Sequence, residues 1–319
     1  MRNRMLAVGV ALAGVAVFIG LINGNLFGIA PDFEELTDGF RPVMQDDAIA
    51  TAKADVADLG AVSTEFGTAV IPQLSAALQM DAASFNGFMG QQFPAVAAGV
   101  GALPDIVTEF TRVVGLLESQ QENFEQADQI PTSNLPATTM PWILLAITLG
   151  ALIVAYLMFR NAVSGSIWAT AFGAAVVIGV LVLSFIPKAQ AADDMNEALK
   201  PVYNAAMVQD SQGALGVVGA MGQEMQATML PALAQQLSLS PDDLNAFLAN
   251  FPATAGALEN LPAAMGRFTV MVTAFDEELT NYESITETAL APIAWTVLLA
   301  GIAIFLFGGY GFYAARKES

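Results

Sequence analysis

Five pairs of adjacent carboxylates stand out among the residues able to do chemistry: Glu34-Glu35, Asp46-Asp47, Asp193-Asp194, Asp242-Asp243 and Glu277-Glu278. A hydrolase or a calcium site can be built from such pairs. Adjacent residues on a helix, however, point in different directions. No loop has the alternating acids and glycine of an EF-hand. Ser240-Pro241-Asp242-Asp243 reads as an N-cap followed by a proline and an acidic first turn. The pairs are therefore expected to be solvated helix faces and N-terminal turns. The chain contains no histidine and no cysteine. That removes the commonest metal ligand, the commonest general base and any thiol nucleophile. No Walker A loop, Gly-x-Ser-x-Gly elbow or zinc-protease helix occurs. Catalytic, cofactor-binding and metal-binding residues are all expected to be none, and the chain is expected not to be an enzyme.

The elements around these residues belong to a membrane. Of 319 residues, 55% are hydrophobic and 13% charged, with a mean hydropathy of +0.55; soluble domains carry about 25% charged residues. Four stretches lack Asp, Glu, Lys and Arg and are long enough to span a bilayer: 5–24, 141–159, 165–186 and 290–315. Arg2 and Arg4 ahead of the first give it some likeness to a signal peptide. Its length, and the lack of a small-x-small site before Pro31, favour a retained span. Arg2, Arg4, Arg160, Arg316 and Lys317 share one side of a four-span layout, and the Lys/Arg bias places that side in the cytoplasm. The expectation is a multi-pass plasma-membrane protein of a bacterial envelope, with both termini cytoplasmic. Two large segments, 25–140 and 187–289, lie outside and hold every acidic residue except Glu318.

The chain also repeats itself. Phe93–Glu125 aligns without a gap to Phe251–Glu283 at a spacing of 158, with eleven of the 33 positions identical, among them Phe93-Pro94-Ala95, Leu103-Pro104 and Phe110-Thr111. Ile71-Pro72 and Leu230-Pro231 continue the match at 159. The repeat defines two halves, 1–160 and 161–319. Each consists of a span, an external segment and a second span, and parallel repeats imply a pseudo-two-fold axis along the membrane normal. Apolar residues from Leu103 to Phe124, and from Leu261 to Tyr282, keep i, i+3, i+4, i+7 spacing, which marks one buried helical stripe in each half. Pro104 and Pro262 sit where such helices can begin. The fold class expected is all-α: four transmembrane helices in two parallel tandem repeats, with two extracytoplasmic helical bundles. Stripes this long would serve equally well for burial against the sister repeat.

Function is less legible. A net charge of −19 argues against nucleic acid. The spans contain no ionisable residue, which disfavours a proton-coupled transporter. Small residues recur at four-residue spacing, as in Ala7/Ala11, Gly9/Ala13, Ala169/Gly173 and Ala175/Gly179, and favour close packing within the four-span bundle over packing against another protein. Leu135-Pro136-Ala137-Thr138-Thr139 ahead of a span resembles a sortase sorting signal. It lacks the final glycine and half the chain follows it, so it reads as a loop. The leading reading is a non-enzymatic membrane scaffold or accessory subunit, whose external helices bind a membrane or envelope protein partner or a second copy. The extra loop Gln129–Met140 and the acidic run Asp276-Glu277-Glu278 are its candidate contact surfaces. The alternative is a module for a lipid or other apolar ligand, built on Met221, Met225, Met229, Met265 and Met271. A receptor would lack an output, because the cytoplasmic parts are very short.

Overall fold

The computed structural model describes residues 2–318; Met1 and Ser319, the outer limits of the two halves, lie outside the described residues. The described chain is all helical, with no strand. The helices are α1 (Arg2–Asn23), α2 (Leu26–Phe40), α3 (Asp46–Glu65), α4 (Ile71–Ala77), α5 (Ala82–Gln92), α6 (Pro94–Ala127) and α7 (Met140–Arg160). They continue as α8 (Ala162–Val182), α9 (Phe185–Leu199), α10 (Ala205–Glu224), α11 (Leu230–Gln236), α12 (Pro241–Leu248), α13 (Pro252–Ile285) and α14 (Ala291–Glu318). π-Helical turns at Phe66–Val70 and Met225–Met229 join α3 to α4 and α10 to α11.

Element bounds recur along the chain. α2, α3, α4 and the first π-turn reappear 159 residues later at both ends, and α6 and α13 are each 34 residues long, 158 apart. Even the backbone exceptions match: positive φ occurs at Asn25 and Ser184, and again at Gln79 and Ser238. Both members of the first pair lie in the two-residue break between a span and the helix after it.

The chain divides into two compact units that cut across the halves. The first comprises 1–40, 120–202 and 278–319; the second comprises 41–119 and 203–277. The division falls inside α6 and α13, each of which contributes residues to both.

In the first unit, four helices are long and apolar enough to cross a membrane: Asn3–Asn23, Ala137–Arg160, Ala162–Val182 and Ala291–Lys317. They form a closed ring in which α1 packs on α7 and α14, and α8 packs on α14 and α7. Its core includes Ala7, Val10, Ala151, Val154, Ala155, Met158, Ala169 and Ile304. The small residues are used here. A Cβ at Gly173 would lie 2.4 Å from the Phe305 amide nitrogen, one at Gly308 would lie 2.5 Å from that of Thr170, and one at Gly14 would lie 2.7 Å from the Ala151 Cβ. These rows bring helix backbones together inside the bundle. Arg4 and Arg160, over the rings of Phe159 and Tyr156, mark the end where α1 begins and α7 stops. The third span ends at Val182, not at 186, because Ser184 adopts left-handed geometry (φ 52°) and starts a new helix.

The second unit holds α3, α4, α5, α10, α11 and α12 with the adjoining parts of α6 and α13, whereas α2 and α9 belong to the first. Residues of both halves fall together in this unit, where the apolar stripes of α6 and α13 face each other. Phe110 and Phe268, equivalent in the two halves, stack at 4.9 Å with planes 7° apart. Around them Leu103, Val113, Val114 and Leu117 from α6 are buried, as are Met271, Val272 and Phe275 from α13. The prolines also differ from expectation. Pro94 and Pro252 open the long helices, where a missing N–H costs nothing, and Pro104 and Pro262 lie inside them. α5 meets α6 at 115° at Phe93, and only when joined does this bent pair pass the same hydropathy test as the spans.

Candidate functional site

Three of the paired carboxylates, Glu34, Asp193 and Asp243, serve as helix caps. The first backbone N–H groups of a helix have no acceptor within it, and the helix dipole favours a negative charge there. In the first unit, Glu34 accepts from the Thr138 N–H (3.2 Å) at the turn leading into α7. Its equivalent Asp193, 159 residues on, accepts from Leu290 and Ala291 (2.7 and 2.9 Å) at the start of α14. Each is the half-buried member of its pair, and Glu35 and Asp194 face solvent. Burial pushes the Asp193 carboxyl above its ordinary value, outweighing the two amide hydrogen bonds that pull it down. Ser240 and Asp243 form a reciprocal capping box on α12, and the Ser240 hydroxyl and amide hold Asp243 below the usual carboxylate range.

The second unit carries a cap that crosses between halves. Glu65, at the last position of α3 before the first π-turn, accepts from Ala253 (3.3 Å) and Thr254 (2.7 Å) in the first turn of α13. Glu224, the last residue of α10 before the second π-turn, accepts from Val96 (2.7 Å) in the first turn of α6. Val96 and Thr254 are themselves equivalent. Each half therefore closes the N-terminus of the other half's long helix. A π-turn inserts one extra residue per turn and re-aims the residues beside it, and both caps sit at such an insertion.

One ion pair breaks this symmetry. Arg267 holds Asp55 with two hydrogen bonds of 2.7 Å each, the Asp55 side chain being only 10% exposed. The equivalents of these two residues are Ala214 and Glu109, and Glu109 pairs instead with Arg112 one turn away. Asp55 raises the Arg267 guanidinium pKa further. Tyr203 donates to the Phe275 carbonyl at 2.6 Å beneath the same helix.

Apolar spaces open in both units. In the second unit, about 190 Å³ opens beside the first π-turn, among Phe66, Leu74, Phe85, Met89 and Val100, with Asn86 the single polar lining residue. A smaller space of about 20 Å³ lies between the two π-turns, lined by Leu59, Val62 and Phe66 on one side and Met221, Met225 and Leu261 on the other. In the first unit, a groove of about 260 Å³ lies where α7 begins and α8 ends. Ile143, Leu144 and Ile147 form one wall, Val176, Gly179 and Val180 the other, and Phe185 and Pro131 close its end.

Other residues named from sequence fall as follows. Met221, Met225, Met229 and Met271 are buried and Met265 is partly covered, so they fill the core of the second unit. Glu278 leaves the acidic contact surface: it is buried, accepts from Asn281 at 2.8 Å and lies against Gly39. Asp276 and Glu277 stay exposed. In the Gln129–Met140 loop, Ile130, Ala137 and Met140 are buried while residues 133–136 project, with Leu135 46% exposed. Among the described residues no three carboxylates gather closely enough to hold a metal ion.

Glu65, Glu224, Asp55, Arg267 and Lys188 were not singled out by residue type. Glu65 and Glu224 share a signal, since identical acids stand at aligned positions outside the long matched stretch. The reversal of charge between Glu109 and Arg267 is a second. No protein-family model matches the chain, and no curated protein is similar to it in sequence.

Proposed function

We propose that this chain is a non-enzymatic membrane scaffold or accessory subunit, built as two span–external segment–span halves, whose external helices bind a partner in the cell envelope. The observation that carries this reading is the reciprocal pair of caps, Glu65 on α13 and Glu224 on α6. Acidic side chains that would otherwise be candidates for chemistry are committed to backbone amides, and they lock the two halves into one preorganised unit. Such a unit suits a docking platform, because little ordering entropy is lost when a partner binds. The exposed Asp276 and Glu277, and the projecting tip at 133–136, are the surfaces available to a partner. Basic residues at one end of the spans, with acidic segments beyond the other, support a plasma-membrane placement with both termini cytoplasmic. Gentle solubilisation from native membranes followed by mass measurement tests the reading. A complex or homo-oligomer of fixed stoichiometry is expected, and an isolated monomer under every mild condition would overturn it.

The 190 Å³ apolar space beside the first π-turn favours a second reading, a module for a lipid or other apolar ligand. Its lining is apolar apart from Asn86, which suits an apolar ligand with one polar end. Saturable binding of a fluorescent fatty acid that is lost in Val100→Phe would support this reading. Binding unaffected by that change would remove it.

A further inference from the structure

Near one end of the groove in the first unit stands a lysine without an acidic partner. Lys188 lies one turn beyond Phe185, which closes the groove, and its ammonium donates to the Gln129 carbonyl at 3.0 Å. Gln129 lies two residues before Pro131, the other residue at that end. Among the described residues, Lys188 meets no carboxylate, although the external segments are strongly acidic. Partial burial lowers its pKa, with no neighbouring negative charge offsetting the cost. Three basic residues of the second unit, Lys53, Arg112 and Arg267, are by contrast each paired with an acid. An ammonium carries three donors, so Lys188 has two to spare at the mouth of a wholly apolar channel.

We propose that the groove between α7 and α8 holds one acyl chain of an anionic membrane phospholipid, with Lys188 binding the phosphate. The walls run from Met140 to Ile147 along α7, about 10 Å at 1.5 Å per residue, parallel to the chains of a surrounding bilayer. At about 30 Å³ for a water-sized group, 260 Å³ takes roughly eight or nine methylenes. The lining offers a headgroup no partner, so the polar end must leave beside Phe185 and Pro131, where the spare donors are. A charge-assisted hydrogen bond in a partly desolvated setting is the strong kind, which makes the headgroup contact selective and the chain contact general. The groove includes neither the projecting tip at 133–136 nor Asp276 and Glu277, and it shares no lining residue with the space beside the first π-turn, so Val100→Phe leaves it unchanged.

Native mass spectrometry of the delipidated full-length protein tests the site, using phosphatidylglycerol and phosphatidylcholine with identical acyl chains. The wild type is expected to retain one phosphatidylglycerol in preference to phosphatidylcholine. Lys188→Ala should reduce that preference about tenfold, and Lys188→Arg should keep it. Gly179→Leu should abolish retention of both lipids, because a Cβ at Gly179 meets nothing within 4 Å and the added side chain enters the groove. Ala175→Leu, on an exposed position of the same wall, is the second filler in case the first lowers the thermal midpoint. Undiminished lipid retention in both fillers would overturn the site. A headgroup preference unchanged in Lys188→Ala would overturn the role of the lysine.

Discussion

Replacing Glu65 with alanine should loosen a helix that belongs to the other half of the chain. The amides of Ala253 and Thr254 are in the first turn of α13 and have no acceptor within it. Their protection from exchange therefore rests on the Glu65 carboxylate, at 3.3 and 2.7 Å. Hydrogen bonds to a charged acceptor contribute about 1.5–3 kcal/mol, and N-terminal caps typically about 1 kcal/mol. Glu65 is only half buried, which favours the lower end, so about 1.5 kcal/mol is expected for Glu65→Ala. That corresponds to roughly a tenfold loss of protection at these two amides. Glu65→Gln keeps an acceptor without its charge and should lose about half as much free energy. Hydrogen exchange by mass spectrometry on the full-length protein in nanodiscs, read on peptides covering 252–258, measures this directly. Glu224→Ala is the internal replicate, with its loss confined to the first turn of α6. Unchanged exchange at the start of α13 in Glu65→Ala, or a loss confined to α3, would refute the cross-half cap.

Other consequences follow from the same contacts. Arg267→Ala leaves the nearly buried Asp55 carboxylate without its partner and should cost about 1–3 kcal/mol in chemical unfolding; Asp55→Ala together with Arg267→Ala should recover part of this, since the stranded charge is gone. Gly173→Ala should destabilise by about 1–3 kcal/mol because its Cβ would meet the Phe305 backbone at 2.4 Å, whereas Gly179→Ala in the same helix should be neutral or slightly stabilising in thermal unfolding. Burial raises the Tyr282 hydroxyl from 10.0 to about 12. A raised folded value means stability that is fully present below pH 10 and lost as pH rises toward 12, so the wild type should lose stability relative to Tyr282→Phe across that window, and a flat difference would contradict it.

Much of the fold can be read in the residues themselves, and the parts that cannot have physical reasons. The spans announce themselves because lipid tolerates almost no charge for twenty residues, and four charge-free stretches leave little choice. The long helices are visible from the stripe that includes Phe110 and Phe268, since one periodicity persists for several turns. What faces that stripe is invisible in principle: an apolar face specifies burial, and a sister repeat satisfies it as well as a bundle of its own. For that reason the two expected external bundles and the observed mixed unit fit the same pattern. Ser184 ends the third span by a backbone rotation that its side chain does not signal, although the matching break at Asn25 does. Glu278 reads as surface from its acidic neighbours, yet Gly39 opposite it leaves room for a carboxylate to be buried. The caps made by Glu65 and Glu224 depend on contacts across more than a hundred residues, which local spacing cannot encode.

Docking of a partner on the exposed external surfaces is open to site-specific photocrosslinking in native membranes. A photoreactive amino acid would replace Glu277, and separately Leu135, with lipid-exposed Val182 as the control position. One adduct of a single defined mass, either a partner protein or a second copy, is expected from at least one external position, and none from Val182. If the Glu277 adduct forms, Asp276→Lys should abolish it. Irradiation that leaves the protein monomeric at both external positions would contradict the scaffold reading.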